Sequence, residues 1–309
     1  MKYVIGIDSG GTNYRVMVCD LQGNTLGSYT GEPANHYSLP LEACAARINH
    51  SIDTCLAQFG GRRADARCLV CGTTGLDSDE DAEILNRLYS GLPGFSCPVK
   101  VINDAELAHN TVTGGEGVLV ISGTGSIAFG RNKAGRTARS GGWMFTILGD
   151  EGSGAWVSRA ALRQVGRYLD GAASVGPMVE SVCRQLCITS RDDLNRIAAG
   201  AGAPPWTLPP LGKLVNEAAD AGDAAALAIL KRSAALVFAI VEDIACALDI
   251  ERTEPDFKIG VWGSNILHST YILDEFRALA AQRFPQARIC LPQRTALEGA
   301  VHMALEEIR

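Results

Sequence analysis

The sequence is short of positive charge. Against 34 aspartates and glutamates stand 28 lysines and arginines, a formal net charge of −6 over 309 residues. That balance leaves no electrostatic footprint for nucleic acid, so an anionic ligand must be held locally, by backbone amides and metal. No signal peptide is expected, because Asp8 interrupts the first apolar run too early. No uncharged hydrophobic run reads as a membrane span either. The most apolar stretch, Ala224 to Ile250, contains Lys231, Arg232, Glu242 and Asp243, which argues for a long amphipathic helix. Paired metal-ligand spacings are also missing. Cys68 and Cys71 form the one CxxC, but they lie in a strand-like apolar run with no second pair to match, so they read as core. Ten cysteines without a secretory signal read as free thiols, which places the chain in a reducing, cytoplasmic setting with neither membrane nor nucleic acid as partner.

What is present is a large core and a repeated plan. Hydrophobic residues make up 47% of the chain and charged residues 20%, enough for one large domain or two medium ones. The first part reads as strands over Tyr3–Ile7, Val16–Cys19 and Thr25–Thr30, then a helix over Leu41–Phe59. A strand over Cys68–Cys71, a helix over Asp79–Tyr89, a strand over Val99–Ile102 and a helix over Ala105–Val112 complete it. Strands at Gly117–Ile121, Ile127–Arg131 and Arg136–Ser140 then restart the pattern. Helical territory runs from Gly152 to Ile250, broken at Ala203–Pro210, and is followed by a strand at Phe257–Trp262, a helix over Asn265–Phe284, a strand at Ala287–Leu291 and a helix at Thr295–Ile308. Strands alternating with helices in both halves predict an α/β protein with two similar sheets and a cleft between them.

Two glycine turns carry the chemistry. In Asp8-Ser9-Gly10-Gly11-Thr12 an apolar run ends in a carboxylate and a turn stripped of bulky side chains. Backbone N–H groups there can approach a phosphate, while Asp8 can hold a divalent cation through water. An ordinary Gly-Gly hairpin is the plain alternative. Ser122-Gly123-Thr124-Gly125-Ser126 repeats the device between two strands. Its loose G-x-G-x-x-A spacing would suit a dinucleotide fold only if a helix followed directly, and a strand is expected instead. Two such turns in two halves read as a pair of phosphate clamps.

Asp104 ends a strand and opens a helix, so it is either a general base for a hydroxyl attacking phosphorus or, like Asn103, a helix cap. Trp143, after Gly141 and Gly142, offers a stacking wall or a core residue. Asp150 and Glu151 stand where a helix dipole favours acids in any case. Asn35 and His36 lie in the first long loop, where turn chemistry is the plain explanation. Gly263-Ser264 is a third strand–glycine–helix junction, suited to the adenosine end of a nucleotide or to a simple turn.

Taken in order, Ile7–Thr12, Asn35-His36, Asn103–Ala105, Ser122–Ser126, Gly141–Trp143, Gly149–Ser153 and Gly263-Ser264 resemble the N-acetylglucosamine kinase-like, BadF/BadG/BcrA/BcrD-type branch of the actin, hexokinase and heat-shock-chaperone ATPases. The resemblance covers nearly the whole chain. It implies an actin-like ATPase fold of two ribonuclease-H-like domains with an interdomain cleft, residues 1–115 plus 293–309 and residues 116–292. It further implies ATP and magnesium as cofactors, an amino sugar as substrate and a homodimer. By position, Asp8, Gly10, Gly11, Thr12, Ser122, Gly123, Thr124, Gly125, Gly263 and Ser264 are the implied ATP contacts, with Asp8 the metal contact. Asn35, His36, Asp104, Gly142, Trp143 and Asp150 are the implied sugar contacts, with Asp104 the base at the C6 hydroxyl. N-acetylglucosamine is the first expected substrate and glucosamine the second. An ATPase activator of acyl-CoA dehydratases or reductases and a nucleotide-gated binding protein are the alternatives. Ser9 stands where the sugar kinases usually have Gly, and the Met144–Leu148 connection is one residue longer than usual.

Overall fold

The computed structural model describes residues 1–143, 148–200 and 210–309. The chain divides into two compact units, residues 1–115 with 292–309 and residues 116–291. Unit 1 opens with three antiparallel strands, β1 (Tyr3–Ser9), β2 (Tyr14–Asp20) and β3 (Thr25–Gly31). Helix α1 (Leu41–Ala57), β4 (Ala66–Thr73), α2 (Asp79–Ser90), β5 (Val99–Asn103) and α3 (Asp104–Thr113) follow. The sheet order is β3-β2-β1-β4-β5, with β1, β4 and β5 parallel.

The uninterrupted apolar run of β1 has a direct cause. Tyr3, Ile5 and Ile7 face a core closed by α1 and α2, while Val4 faces a second core on the other side of the sheet. A strand buried on both faces has no solvent side to mark with polar residues. The second core is closed by the C-terminal helix α12 (Ala296–Glu306), which starts at a capping box between Thr295 and Glu298. Helix and strand meet at Gly6, where a Cβ would lie 2.6 Å from the Val301 backbone nitrogen. Cys68 and Cys71 are both buried in β4, as the sequence reading expects, and Cys71 Sγ donates to the buried Tyr89 hydroxyl at 3.2 Å. Burial pushes the Cys71 thiol up to about 12. All ten cysteines are free.

Unit 2 repeats the plan. Antiparallel β6 (Gly117–Ser122), β7 (Ser126–Arg131) and β8 (Thr137–Gly141) lead into α4 (Gly154–Leu169), α5 (Pro177–Leu186), α6 (Arg191–Ala198), α7 (Gly212–Asp220), α8 (Ala224–Ala247) and the short α9 (Ile250–Thr253). Strand β9 (Lys258–Trp262), helices α10 (Ser264–Leu267) and α11 (Thr270–Arg283) and strand β10 (Arg288–Cys290) complete it. The order β10-β9-β6-β7-β8 is the order of unit 1 over again, with the first, fourth and fifth strands parallel. Helix α8 is long and apolar enough to cross a membrane by composition. Its inner face, with Ile229, Val237, Val241 and Ile244, forms the middle of the unit-2 core against α4, α11 and the sheet.

One element differs from expectation. The single helix expected over Asn265–Phe284 is two, α10 and α11, divided at His268 and Ser269. Ser269 caps the second helix, accepting from the Ile272 N–H at 3.4 Å, and its hydroxyl donates to Asn216 Oδ1 at 2.6 Å, which fixes the break from outside. Of the expected helix break at Ala203–Pro210, Pro210 alone lies within the described residues.

Candidate active site

Strand register lines up the candidate residues of unit 1. Ser9 pairs with Thr73 and Thr73 with Asn103, so three parallel strands end level with one another. Open α/β sheets bind ligands at this carboxyl edge. Asp8 and Asp104 both lie along it, two strand spacings or about 10 Å apart along the sheet. The Gly10 N–H donates to Asn13 O at 3.0 Å and closes the first turn. Neither Gly10 nor Gly11 has a left-handed backbone, and a Cβ at Gly11 would meet nothing within 4 Å. The fold itself therefore has no need of glycine at position 11. Asp8 Oδ2 accepts from the Arg15 guanidinium at 3.0 Å, across the register pair Asp8–Arg15.

The cap question at α3 is resolved in favour of Asn103. Its Oδ1 accepts from the Ala105 N–H at 2.8 Å and its Nδ2 donates to Leu76 O at 3.0 Å. Asp104 is the first helical residue, exposed, and the cap does not use it.

The loop after β3 reaches the same edge, since a Cβ at Gly75, just past β4, would sit 3.3 Å from the His36 ring. Asn35 Oδ1 accepts the Tyr37 N–H at 2.8 Å, and the Nδ2 amide group is this residue's hydrogen-bond donor. The His36 ring is buried, with Nε2 2.9 Å from Asp81 Oδ1. Asp81 also accepts from the Tyr37 hydroxyl at 2.8 Å, from Ser78 Oγ at 2.6 Å and from the Asp77 N–H at 3.2 Å. Burial pushes the Asp81 carboxyl up, but these hydrogen bonds outweigh it and hold the group well below the usual carboxylate range.

Unit 2 gathers its residues around the second turn. Here Ile121 pairs with Trp262, so Ser122 and Gly263 adjoin at the carboxyl edge of β6 and β9. The first two N–H groups of α4, at Gly154 and Ala155, donate to Gly123 O and Thr124 O at 2.8 and 3.1 Å and fasten the turn to the helix. Ser122 is buried, its Oγ accepting from Asn265 Nδ2 at 3.0 Å, so only its backbone is left to face a ligand. Asp150 has φ +60° and its Oδ1 accepts the Ser126 N–H at 2.9 Å. A side chain on Gly125 would collide with that carboxylate.

Gly263, at φ +101°, lies so close to Ser122 O and Gly123 N that no Cβ fits. Gly123 is different, because a Cβ there would meet nothing within 4 Å among the described residues and its φ is not left-handed. The Gly142 N–H donates to Ser126 O at 2.9 Å, and Trp143 beside it is 66% exposed, which removes the core reading. Residues 144–147 of the longer connection lie outside the described residues.

A cavity of about 650 Å³ opens over this edge, lined by Gly123, Thr124 and Ser264 and by Lys213, Asn216 and Asp220 of α7. Its size falls within the roughly 300–1,000 Å³ of small-molecule and cofactor sites. A family model described as the BadF/BadG/BcrA/BcrD ATPase family matches residues 5–304. The chain belongs to that family.

Within the BadF/BadG/BcrA/BcrD ATPases, the chain is 32% identical over 311 residues to an N-acetylmuramic acid/N-acetylglucosamine kinase of Clostridium acetobutylicum, covering 99% of each. It is 27% identical to an N-acetyl-D-glucosamine kinase of Dictyostelium discoideum, covering 97% of each. Among solved structures, a Chromobacterium violaceum protein matches at TM-score 0.74 and 23% identity over 99% of each chain. A ROK family glucokinase from Streptomyces griseus matches at TM-score 0.58 and 18% identity, over 98% of this chain and 99% of that one. Those two likenesses bear on the fold, the doubly repeated sheet plan of the actin-like and hexokinase-like ATPases.

For this BadF/BadG/BcrA/BcrD ATPase, the sequence reading omits α7, although a signal was there. Lys213, Asn216, Glu217 and Asp220 recur at helical spacing, opposite the buried Val215, Ala218 and Ala219. A polar stripe of that kind is indistinguishable from a solvated face until the cavity beside it is known. Among the described residues no group of three or more His, Cys, Asp or Glu could hold a metal ion. Asp8 offers a carboxylate at the first turn, which fits a magnesium ion that keeps most of its waters and takes its other ligands from phosphates.

Proposed function

We propose that this ATPase-family member transfers the γ-phosphoryl group of ATP to the C6 hydroxyl of an amino sugar, N-acetylglucosamine first and glucosamine second. Gly11 and Gly123 carry the proposal: neither backbone angle nor neighbouring atoms ask for glycine, so the missing side chains serve something that approaches from outside. The names of the relatives, both N-acetylglucosamine kinases, support the choice of sugar.

In this proposal the turn at Gly10–Thr12 and the turn at Ser122–Gly125 offer backbone N–H groups to the phosphates, with the Thr12 and Thr124 hydroxyls as further donors. Asp8 would hold magnesium through water, and the bound ion would neutralise phosphate charge. Gly263 and Ser264 would border the adenosine. Asn35, Gly142, Trp143 and Asp150 would position the sugar, with Asn35 donating through Nδ2 and Trp143 stacking on the ring. Asp104 takes the proton from O6 as O6 attacks the γ-phosphorus. The bond from that phosphorus to the β–γ bridging oxygen breaks, and ADP leaves. Asn103 Oδ1 takes the cap from the Ala105 N–H, and Asp104 follows it as the exposed first residue of α3. Ten free thiols and the net charge of −6 support a reducing, cytoplasmic location without nucleic acid or membrane as partner. The homodimer belongs to the same proposal.

The test is ADP release from the full chain with ATP and magnesium against a panel of glucose, glucosamine, N-acetylglucosamine and N-acetylmuramic acid. N-acetylglucosamine should give the highest kcat/KM. ADP release that is the same with and without every sugar would overturn the proposal.

A further inference from the structure

The loop that carries Asn35 is tied down by a residue 45 positions further on. Asp81 is 4% exposed and accepts from four groups: His36 Nε2, the Tyr37 hydroxyl, Ser78 Oγ and the Asp77 N–H. An ionised carboxylate can only accept, so the hydrogen in the His36–Asp81 contact must sit on Nε2. If the ring is neutral, that fixes its tautomer and leaves Nδ1 as the acceptor. Nδ1 is buried and has no hydrogen-bond partner among the described residues. Tyr37 repeats the pattern. Its side chain is 64% exposed, its ring lies 4.3 Å from that of His36, and its hydroxyl reaches both Asp81 oxygens at 2.8 Å. The backbone N–H of Tyr37 in turn donates to Asn35 Oδ1 at 2.8 Å. Each link passes directly to the next, from Asp81 through Tyr37 to the amide of Asn35.

We infer that Asp81 is the positioning residue of the sugar-side loop. It clamps His36 and Tyr37 so that Asn35 is held with its Nδ2 amine turned out as a hydrogen-bond donor to a sugar oxygen. The inference rests on the kinase reading for the identity of the ligand, but the clamp is a property of the chain itself. His36 in this account supports the loop.

The experiment uses the full chain in four forms, wild type, Asp81→Asn, Tyr37→Phe and the conservative variant Asp81→Glu. Nitrogen-15 NMR of the imidazoles should find His36 as the Nε2–H tautomer in the wild type. Steady-state kinetics should show the sugar KM raised about five- to tenfold in Asp81→Asn and less in Tyr37→Phe, with the ATP KM and kcat within about twofold of wild type. Asp81→Glu should recover part of the loss. An Nδ1–H tautomer for His36, or a rise in the ATP KM as large as that in the sugar KM, would overturn the inference. So would an unchanged sugar KM in an active Asp81→Asn enzyme, and that result would leave the kinase reading standing. A wild-type chain with no sugar-dependent ADP release overturns both.

Discussion

Gly123→Ala separates a glycine kept for a ligand from one kept for the fold. A methyl at position 123 meets no atom of the described residues within 4 Å, and the backbone there is not left-handed. On folding grounds alone the substitution should stabilise by about 0.4–1 kcal/mol, because alanine restricts the unfolded chain. Gly263→Ala is the control. At φ +101°, with Ser122 O and Gly123 N against the new carbon, it should destabilise by about 1–3 kcal/mol or more. If phosphate oxygens approach Gly123, the extra methyl must overpack that contact at a cost of about 1–3 kcal/mol, roughly 5- to 150-fold in ATP affinity. Urea denaturation without ligand and isothermal titration with a non-hydrolysable ATP analogue measure the two effects independently. The reasoning requires stability unchanged or raised together with weakened nucleotide binding. A Gly123→Ala protein that binds the analogue as tightly as wild type would refute it, as would one that loses stability like Gly263→Ala.

Further expectations concern the carboxylates and the thiols. Asp104→Ala should leave ATP binding within about twofold while phosphoryl transfer falls by about 10²–10⁴, read by titration and by coupled ADP assay; equal loss of both would make Asp104 structural. Folding lowers the Asp81 pKa below its ordinary 3.8, so its stabilisation is present above that value and is lost as pH falls through the lowered one. The urea midpoint of Asp81→Asn should therefore fall less steeply than that of wild type between about pH 5 and pH 2.5, and parallel curves would count against the hydrogen-bonded carboxylate. At pH 8 a thiol reagent should modify the exposed Cys187 and Cys246 within the first phase. Cys68 and Cys71, pushed by burial to about 11 and about 12, should react only on unfolding, and early labelling of either by mass spectrometry would contradict their place in the core.

The parts of this protein that were legible in the sequence are those set by local chemistry. The run Tyr3–Ile7 is apolar because both faces of β1 are buried, and the Ser-Gly-Gly-Thr turn is recognisable because two adjacent glycines separate two apolar runs. Asn103 or Asp104 as cap was undecidable from composition, since both residue types cap well; the contact from Asn103 Nδ2 to Leu76 O, 27 positions away, is what favours Asn103. The α7 wall was hidden because Lys213, Asn216 and Asp220 carry no turn or motif, only a polar stripe. Ser269 looked like an interior helix residue until Asn216 supplied the partner for its hydroxyl. Asp81 was hidden for the same reason, as His36 and its carboxylate meet only through the packing of a loop on α2. Long-range pairing of polar groups leaves no periodicity to read.

The most direct test of the central claim is the position of the phosphate on the product. With ATP, magnesium and N-acetylglucosamine, a phosphorus–proton correlation NMR spectrum of the product should show the new phosphorus coupled to the two H6 protons, with Asp104→Ala giving no such signal in the same time. A phosphorus coupled to the anomeric or another ring proton, or ADP formed with no phosphosugar at all, would contradict it.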